Sequence, residues 1–146
     1  MSDADLMQLY SRRILGLTAS IPHQGRLDAP DGSASKRSPQ CGSTVRVDVV
    51  MEGTVIREFA QEVRACALGQ ASASVLGGAV VGRTQYDISA ARDALVTMLT
   101  EKGPPPGPPF ADLEALLPAR DYPNRHASIL LAWDATLAAI ESAEAK

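Results

Sequence analysis

The feature that most constrains this chain is a change of period. From Thr44 the apolar residues fall on every second position, with Val45, Val47, Val49 and Met51 alternating with Arg46, Asp48 and Val50. Successive side chains of extended backbone point to opposite faces, so this pattern predicts a half-buried strand. Glu52-Gly53 supplies a tight turn, after which Val55, Arg57 and Phe59 alternate with Ile56, Glu58 and Ala60. The two runs predict a β-hairpin, and a further strand is expected at Glu62–Ala65. A three-stranded antiparallel meander over about 44–66 needs an apolar layer on one face, because so small a sheet is not stable alone in water.

Helical patterns supply that layer. Leu6, Leu9, Tyr10, Ile14 and Leu17 recur at helical spacing, which predicts a helix over 3–17 with Asp3 as N-cap. The polar stretch 20–40, with three prolines, reads as a long surface loop. Residues 67–82 are rich in Ala, Gly and Ser and predict a buried helix lying close against the sheet. The next helix is expected to be capped by Asp87 or Ser89, with Ile88, Ala91, Leu95, Met98 and Leu99 on one stripe. The segment 103–110, GPPPGPPF, admits neither helix nor sheet and predicts a stiff polyproline-like spacer. A helical turn around Leu113–Leu117 follows. A long last helix from near Asn124 carries Ile129, Leu130, Trp133, Leu137 and Ile140 on one side. The fold class expected is α+β, a single domain over 1–146.

At 146 residues the chain can bury a sizeable core and needs neither disulfide nor metal merely to fold. A net charge of −3 gives no basic footprint for nucleic acid, and the Lys36-Arg37 pair is too short to supply one. No apolar run reaches membrane-spanning length, and the first residues are acidic where a secretory signal would be basic. The expected location is therefore the cytoplasm, where two cysteines are thiols or ligands rather than a disulfide.

Three patches carry a resemblance. Ser38-Pro39-Gln40-Cys41-Gly42-Ser43 is similar to the motif N-P-x-C-G-D placed just before the first predicted strand. Ala65-Cys66-Ala67-Leu68-Gly69-Gln70-Ala71-Ser72-Ala73-Ser74 is close to G-C-A-I-S-x-A-S-A-S. Pro123-Asn124-Arg125-His126-Ala127-Ser128, continuing to Leu131 and Trp133, is close to P-x-R-x-x-C-x-x-L-x-W. Together, and in this order, they resemble the NifU/IscU/SufU family of iron–sulfur cluster assembly scaffolds, with P-x-R and Trp133 favouring the SufU-like branch. The resemblance implies a SufE/NifU-like fold, with a meander packed against helices. It also implies a non-enzymatic role in cluster assembly, and as partners a cysteine desulfurase and cluster-accepting apoproteins.

The family's metal site consists of three cysteines and one aspartate, and this chain departs from it. Cys41 and Cys66 are present, but the aspartate position holds Ser43. The third cysteine position holds Ser128 in an ungapped alignment, or Ala127 in a local one. Two thiolates are half the set usual for a [2Fe–2S] cluster, and zinc also needs four donors. His126 is the remaining soft donor with a reason to be near, although a helix-start histidine is more often a cap than a ligand. The residue set Cys41, Cys66, Ser43, His126 and Ser128 is thus the candidate site, for an iron–sulfur cluster, for zinc, or for no metal. A homodimer sharing two cysteines from each subunit is a further arrangement. Cys66, at a strand-to-helix junction, also suits a sulfur acceptor. A cysteine hydrolase is disfavoured, since His126 is the sole base and nothing orients it.

Overall fold

The computed structural model describes residues 11–39 and 42–145. Ser11 caps helix α1 (Arg12–Thr18), its hydroxyl accepting from the Ile14 amide. The expected cap at Asp3 and the first turns through Tyr10 lie outside the described residues. The sheet is three-stranded and antiparallel, in the order β1 (Gly32–Arg37), β2 (Thr44–Glu52) and β3 (Val55–Arg64). Helix α2 (Ala67–Ala79), helix α3 (Gln85–Thr100) and a 3-10 stretch (Ala111–Asp121) follow. A 3-10 turn (Pro123–Arg125) then leads into helix α4 (His126–Glu144).

The number and sense of the strands match the sequence reading, but two of the segments differ. The first strand is Gly32–Arg37, inside the stretch expected to be loop. Its sequence, GSASKR, has no apolar alternation because the inward positions must be small. A Cβ at Gly32 would run into the Ala139 carbonyl and the Ala143 amide of α4. Glu62–Ala65 is not a separate strand, since β3 runs unbroken from Val55 to Arg64. Gln61 interrupts the apolar pattern at a fully buried position: its amide donates to the Pro22 and Ala73 carbonyls, both at 3.1 Å. The turn at Gly53, with φ +63°, joins β2 to β3 as expected.

Val45, Val47 and Val49 turn inward beneath α4, and Trp133 is fully buried with its ring edge-on to Phe110 at 5.0 Å. Helix α3 starts earlier than expected. Thr84 is its cap, and Asp87 is the third helical residue of a reciprocal capping box. The helical turn expected at Leu113–Leu117 is part of the longer 3-10 stretch, which tolerates Pro118 and buries Leu113 and Leu116.

The opposite face of the sheet carries one buried charge, Asp48. Its carboxylate accepts from Ser33 Oγ at 2.6 Å, Arg26 Nε at 2.9 Å and the Leu27 amide at 3.1 Å. Burial alone would raise its pKa. The three hydrogen bonds and the Arg26 charge outweigh that and hold the carboxyl below its ordinary range. Asp48 therefore fastens the 26–27 segment and β1 to β2.

Candidate functional site

β3 ends at Arg64, and the chain turns into α2 at Cys66, the N-cap, with extended backbone (φ −65°, ψ 169°). Gln70 Nε2 donates to the Ala65 carbonyl at 2.8 Å and fixes this junction. Cys66 is a partly buried free thiol. Its Sγ lies 3.4 Å from Ser128 Oγ, and the Ser128 hydroxyl donates in turn to Ser43 Oγ at 3.2 Å. In the Cys66–Ser128 contact either the thiol or the hydroxyl can be the donor. Ser43 and Ser128 are 5% and 2% exposed and Cys66 is partly exposed, so among the described residues this row of S and O atoms opens at Cys66.

Three separate elements meet here, for local reasons. The loop before β2 is tied back on itself: the Ser38 amide donates to the Ser43 carbonyl at 2.8 Å, and the Gly42 amide to the Ser38 carbonyl at 2.9 Å. Gly42 sits at φ +72°, a left-handed conformation in which glycine carries no Cβ penalty. Cys41 and Gln40 lie outside the described residues. Helix α4 is held against α2 by a buried chain in which Trp133 Nε1 donates to Ser72 Oγ at 2.9 Å and Ser72 Oγ donates to the Ile129 carbonyl at 2.6 Å. That bond fixes the first turn of α4, which carries Ser128. Gly69 permits the approach, because a Cβ there would stand 2.6 Å from Ser128 Oγ.

Ser128, not Ala127, thus faces Cys66 and Ser43. Ala127 instead lines a cleft between β1 and α4. His126 opens α4, with its Nε2 2.9 Å from the Ala119 carbonyl, the end of the preceding 3-10 stretch. The imidazole therefore closes a helix end. Among the described residues no three His, Cys, Asp or Glu side chains come together as a metal-ligating group. The structure brings together Cys66, Ser43 and Ser128, while the His126 ring is engaged with the Ala119 carbonyl.

Gly69, Ser72 and Trp133 position the site without belonging to the ligand set expected from the sequence. Their signal was the run of small residues after Cys66, which announces close helix packing and gives no direction for it.

A family model described as the NifU-like N terminal domain matches residues 9–146. The iron-sulfur cluster assembly scaffold protein IscU of Streptococcus pyogenes serotype M1 is 26% identical over 141 residues, covering 97% of this chain and 88% of that protein. The crystal structure of a nitrogen-fixing NifU-like protein (N-terminal) from Brucella abortus superposes with a TM-score of 0.93 at 45% identity, over 97% of this chain and 99% of that one. A putative SUF-system scaffold from Fervidobacterium islandicum superposes with a TM-score of 0.80 over 92% and 98% of the two chains, a likeness of fold at 20% identity. No helix among the described residues is long and apolar enough to cross a membrane.

Proposed function

The chain belongs to the family of NifU-like N-terminal domains, iron–sulfur cluster assembly scaffolds, and from that premise we propose that it holds the iron or sulfur of a nascent cluster weakly, through Cys66 and Cys41. The observation that carries this reading is the contact of Cys66 Sγ with Ser128 Oγ, and of Ser128 with Ser43. Three of the positions that the resemblance assigns to a four-donor site, Cys66, Ser128 and Ser43, lie in one row, and two of the three offer hydroxyl groups. A serine hydroxyl must lose its proton to become a good ligand for iron or zinc, which it resists at neutral pH. Thiolates are the ligands that iron–sulfur clusters take, and Cys66 has Cys41 as its companion, two residues before Ser43 in the chain. Cluster or iron is cargo in this reading. A half-set of thiolates holds it loosely, which suits transfer from a desulfurase to an acceptor apoprotein. His126 would join the ligands only by giving up the Ala119 carbonyl or by turning its other nitrogen to the site.

A second reading, sulfur relay without stable metal, is favoured by the position of Cys66. It is a partly exposed thiol at the N-terminus of a 13-residue helix that no side chain caps, open to a partner's sulfur. In that role the Cys66 thiolate attacks the outer sulfur of a persulfide on a cysteine desulfurase. A new S–S bond forms at Cys66, the old one breaks, and its electron pair leaves on the desulfurase thiolate, with no net oxidation.

The test is metal and acid-labile sulfide analysis of protein purified without air, with intact-mass measurement after incubation with a cysteine desulfurase and cysteine. Sub-stoichiometric iron or zinc that Cys66→Ala and Cys41→Ala each abolish supports the scaffold reading. A mass gain of one sulfur atom that depends on Cys66 alone, without metal, supports the relay. Neither metal nor added sulfur overturns both.

A further inference from the structure

We infer that the outer face of the sheet, at the end that borders Cys66, is a docking surface for an acidic segment of a partner protein. Docking here rests on the proposed role only in that a partner must reach Cys66, and it can be probed without metal or desulfurase.

Val45, Val47 and Val49 point into the core, so Thr44 and Arg46 of β2 point to the opposite face. Register puts their cross-strand partners on that face too: Arg37 and Arg64 beside Thr44, Ser35 and Glu62 beside Arg46. The row of Arg37, Thr44 and Arg64 is the end of the sheet nearest the site. Ser43 precedes Thr44, and Cys66 lies two residues past Arg64, at most about 7 Å along the chain. The Arg37 guanidinium reaches toward the same end, with Nη2 4.0 Å from the point that a Cβ on Gly42 would occupy. A pocket of about 270 Å³ opens on this face, lined by Ser35, Thr44, Arg46, Glu62 and Arg64.

The charges in these two rows do not balance. Arg37 and Arg64 are exposed, and neither makes a salt bridge with a described residue. Arg46 Nε stands 3.5 Å from Asp48 Oδ1 without a hydrogen bond, while Asp48 already accepts from Ser33, Arg26 and the Leu27 amide. Glu62 is the sole acidic residue of the two rows, and it lies 4.0 Å from Arg26. Three arginines thus face one glutamate, on a chain whose net charge is −3. A local excess of cations steers acidic surfaces toward it and repels basic ones. The Ser35 and Thr44 hydroxyls in the pocket add donors for a carboxylate. Arg37 and Arg64 stand on the two outer strands, about 10 Å apart by strand spacing. They therefore fit two acidic side chains of one segment better than a single small anion.

The probe is a capped peptide, Cys-Gly-Asp-Gly-Asp, with its cysteine held as a mixed disulfide with 2-thiopyridine. A second peptide carries Lys in place of both Asp. The Cys66 thiolate attacks the peptide sulfur, an S–S bond forms between them, and the old bond breaks with its electron pair leaving on 2-thiopyridone. The released thiopyridone is followed by absorbance, and mass spectrometry of the digested full chain locates the modified cysteine. At low salt the acidic peptide is expected to react at Cys66 at least fivefold faster than the basic one. Arg37→Gln with Arg64→Gln, and separately about 0.5 M sodium chloride, should make the two rates equal. Alkylation of Cys66 by uncharged iodoacetamide should be unchanged in the double variant, which also shows that its fold is retained. Equal rates for the two peptides, or a preference that survives the double substitution, overturns the inference. So does an iodoacetamide rate that falls as far as the acidic-peptide rate, because the arginines would then act on the thiol and not on a partner. Loss of the preference in millimolar phosphate at constant ionic strength would make a small anion the occupant and overturns it as well.

Discussion

Ser128 Oγ stands 3.4 Å from Cys66 Sγ although 62 residues separate them, and Gly69, one turn along α2, lacks the Cβ that would occupy the space between the two helices. The contact makes Ser128 the position at which a single added thiol would enlarge the site most directly.

Restoring the ligand set tests this. Ser43→Asp with Ser128→Cys places a carboxylate and a thiolate on the row that ends at Cys66, and both exchanges are small in volume. The double variant is expected to bind zinc at least a hundredfold more tightly than the unaltered chain, about 2.8 kcal/mol, in a competitive titration against a chromophoric chelator at neutral pH. Without metal it should be the less stable protein, because a carboxylate replaces a buried hydroxyl. Equal affinities would mean that Cys41 does not share the site.

The Ser72 hydroxyl serves two partners, accepting from Trp133 and donating to the Ile129 carbonyl. Ser72→Ala leaves the Trp133 N–H buried and unpaired, at a cost of about 1–3 kcal/mol. Thermal unfolding followed by Trp133 fluorescence should report a midpoint lower by roughly 2–4 °C per kcal/mol. If the midpoint is unchanged, the two helices are held by packing alone.

Gly32 lies where α4 crosses β1. Gly32→Ala must push Ala139 and Ala143 away, and overpacking of this kind costs about 1–3 kcal/mol or more. Denaturant unfolding should show a lower midpoint with an unchanged slope. A stability equal to that of the unaltered chain would show that α4 can shift along the strand without loss.

Asp48 gives a pH dependence of known sign. Its carboxyl titrates lower in the folded chain than in the unfolded one, so the unfolded state binds the proton more readily. The stabilisation is fully present above the unfolded value of about 3.9 and is lost as pH falls through the lower folded value. Asp48→Asn is expected to destabilise by about 2–3 kcal/mol at neutral pH, since it removes charge-assisted bonds to Arg26, Ser33 and the Leu27 amide. Unfolding midpoints of the two proteins should converge as the pH is lowered below about 4. A gap that stays constant from neutral to acid pH would assign the loss to packing.

By itself the sequence determined the fold class, the antiparallel hairpin and the helices around it, because side-chain period and turn residues are local properties. It marked Cys66 at a strand-to-helix junction for the same reason. It did not reveal β1, whose small and polar residues are dictated by the backbone of α4, about a hundred positions later in the chain. Gln61 likewise broke the apolar alternation because its partners, Pro22 and Ala73, are known only once the chain is folded. At the site, spacing left Ser128 and Ala127 as alternatives. Only the rotation of α4, set by the bonds of Ser72 to Trp133 and Ile129, decided which one faces Cys66. A helix has one sequence and many possible rotations about its axis, and the choice among them belongs to the packing of its neighbours.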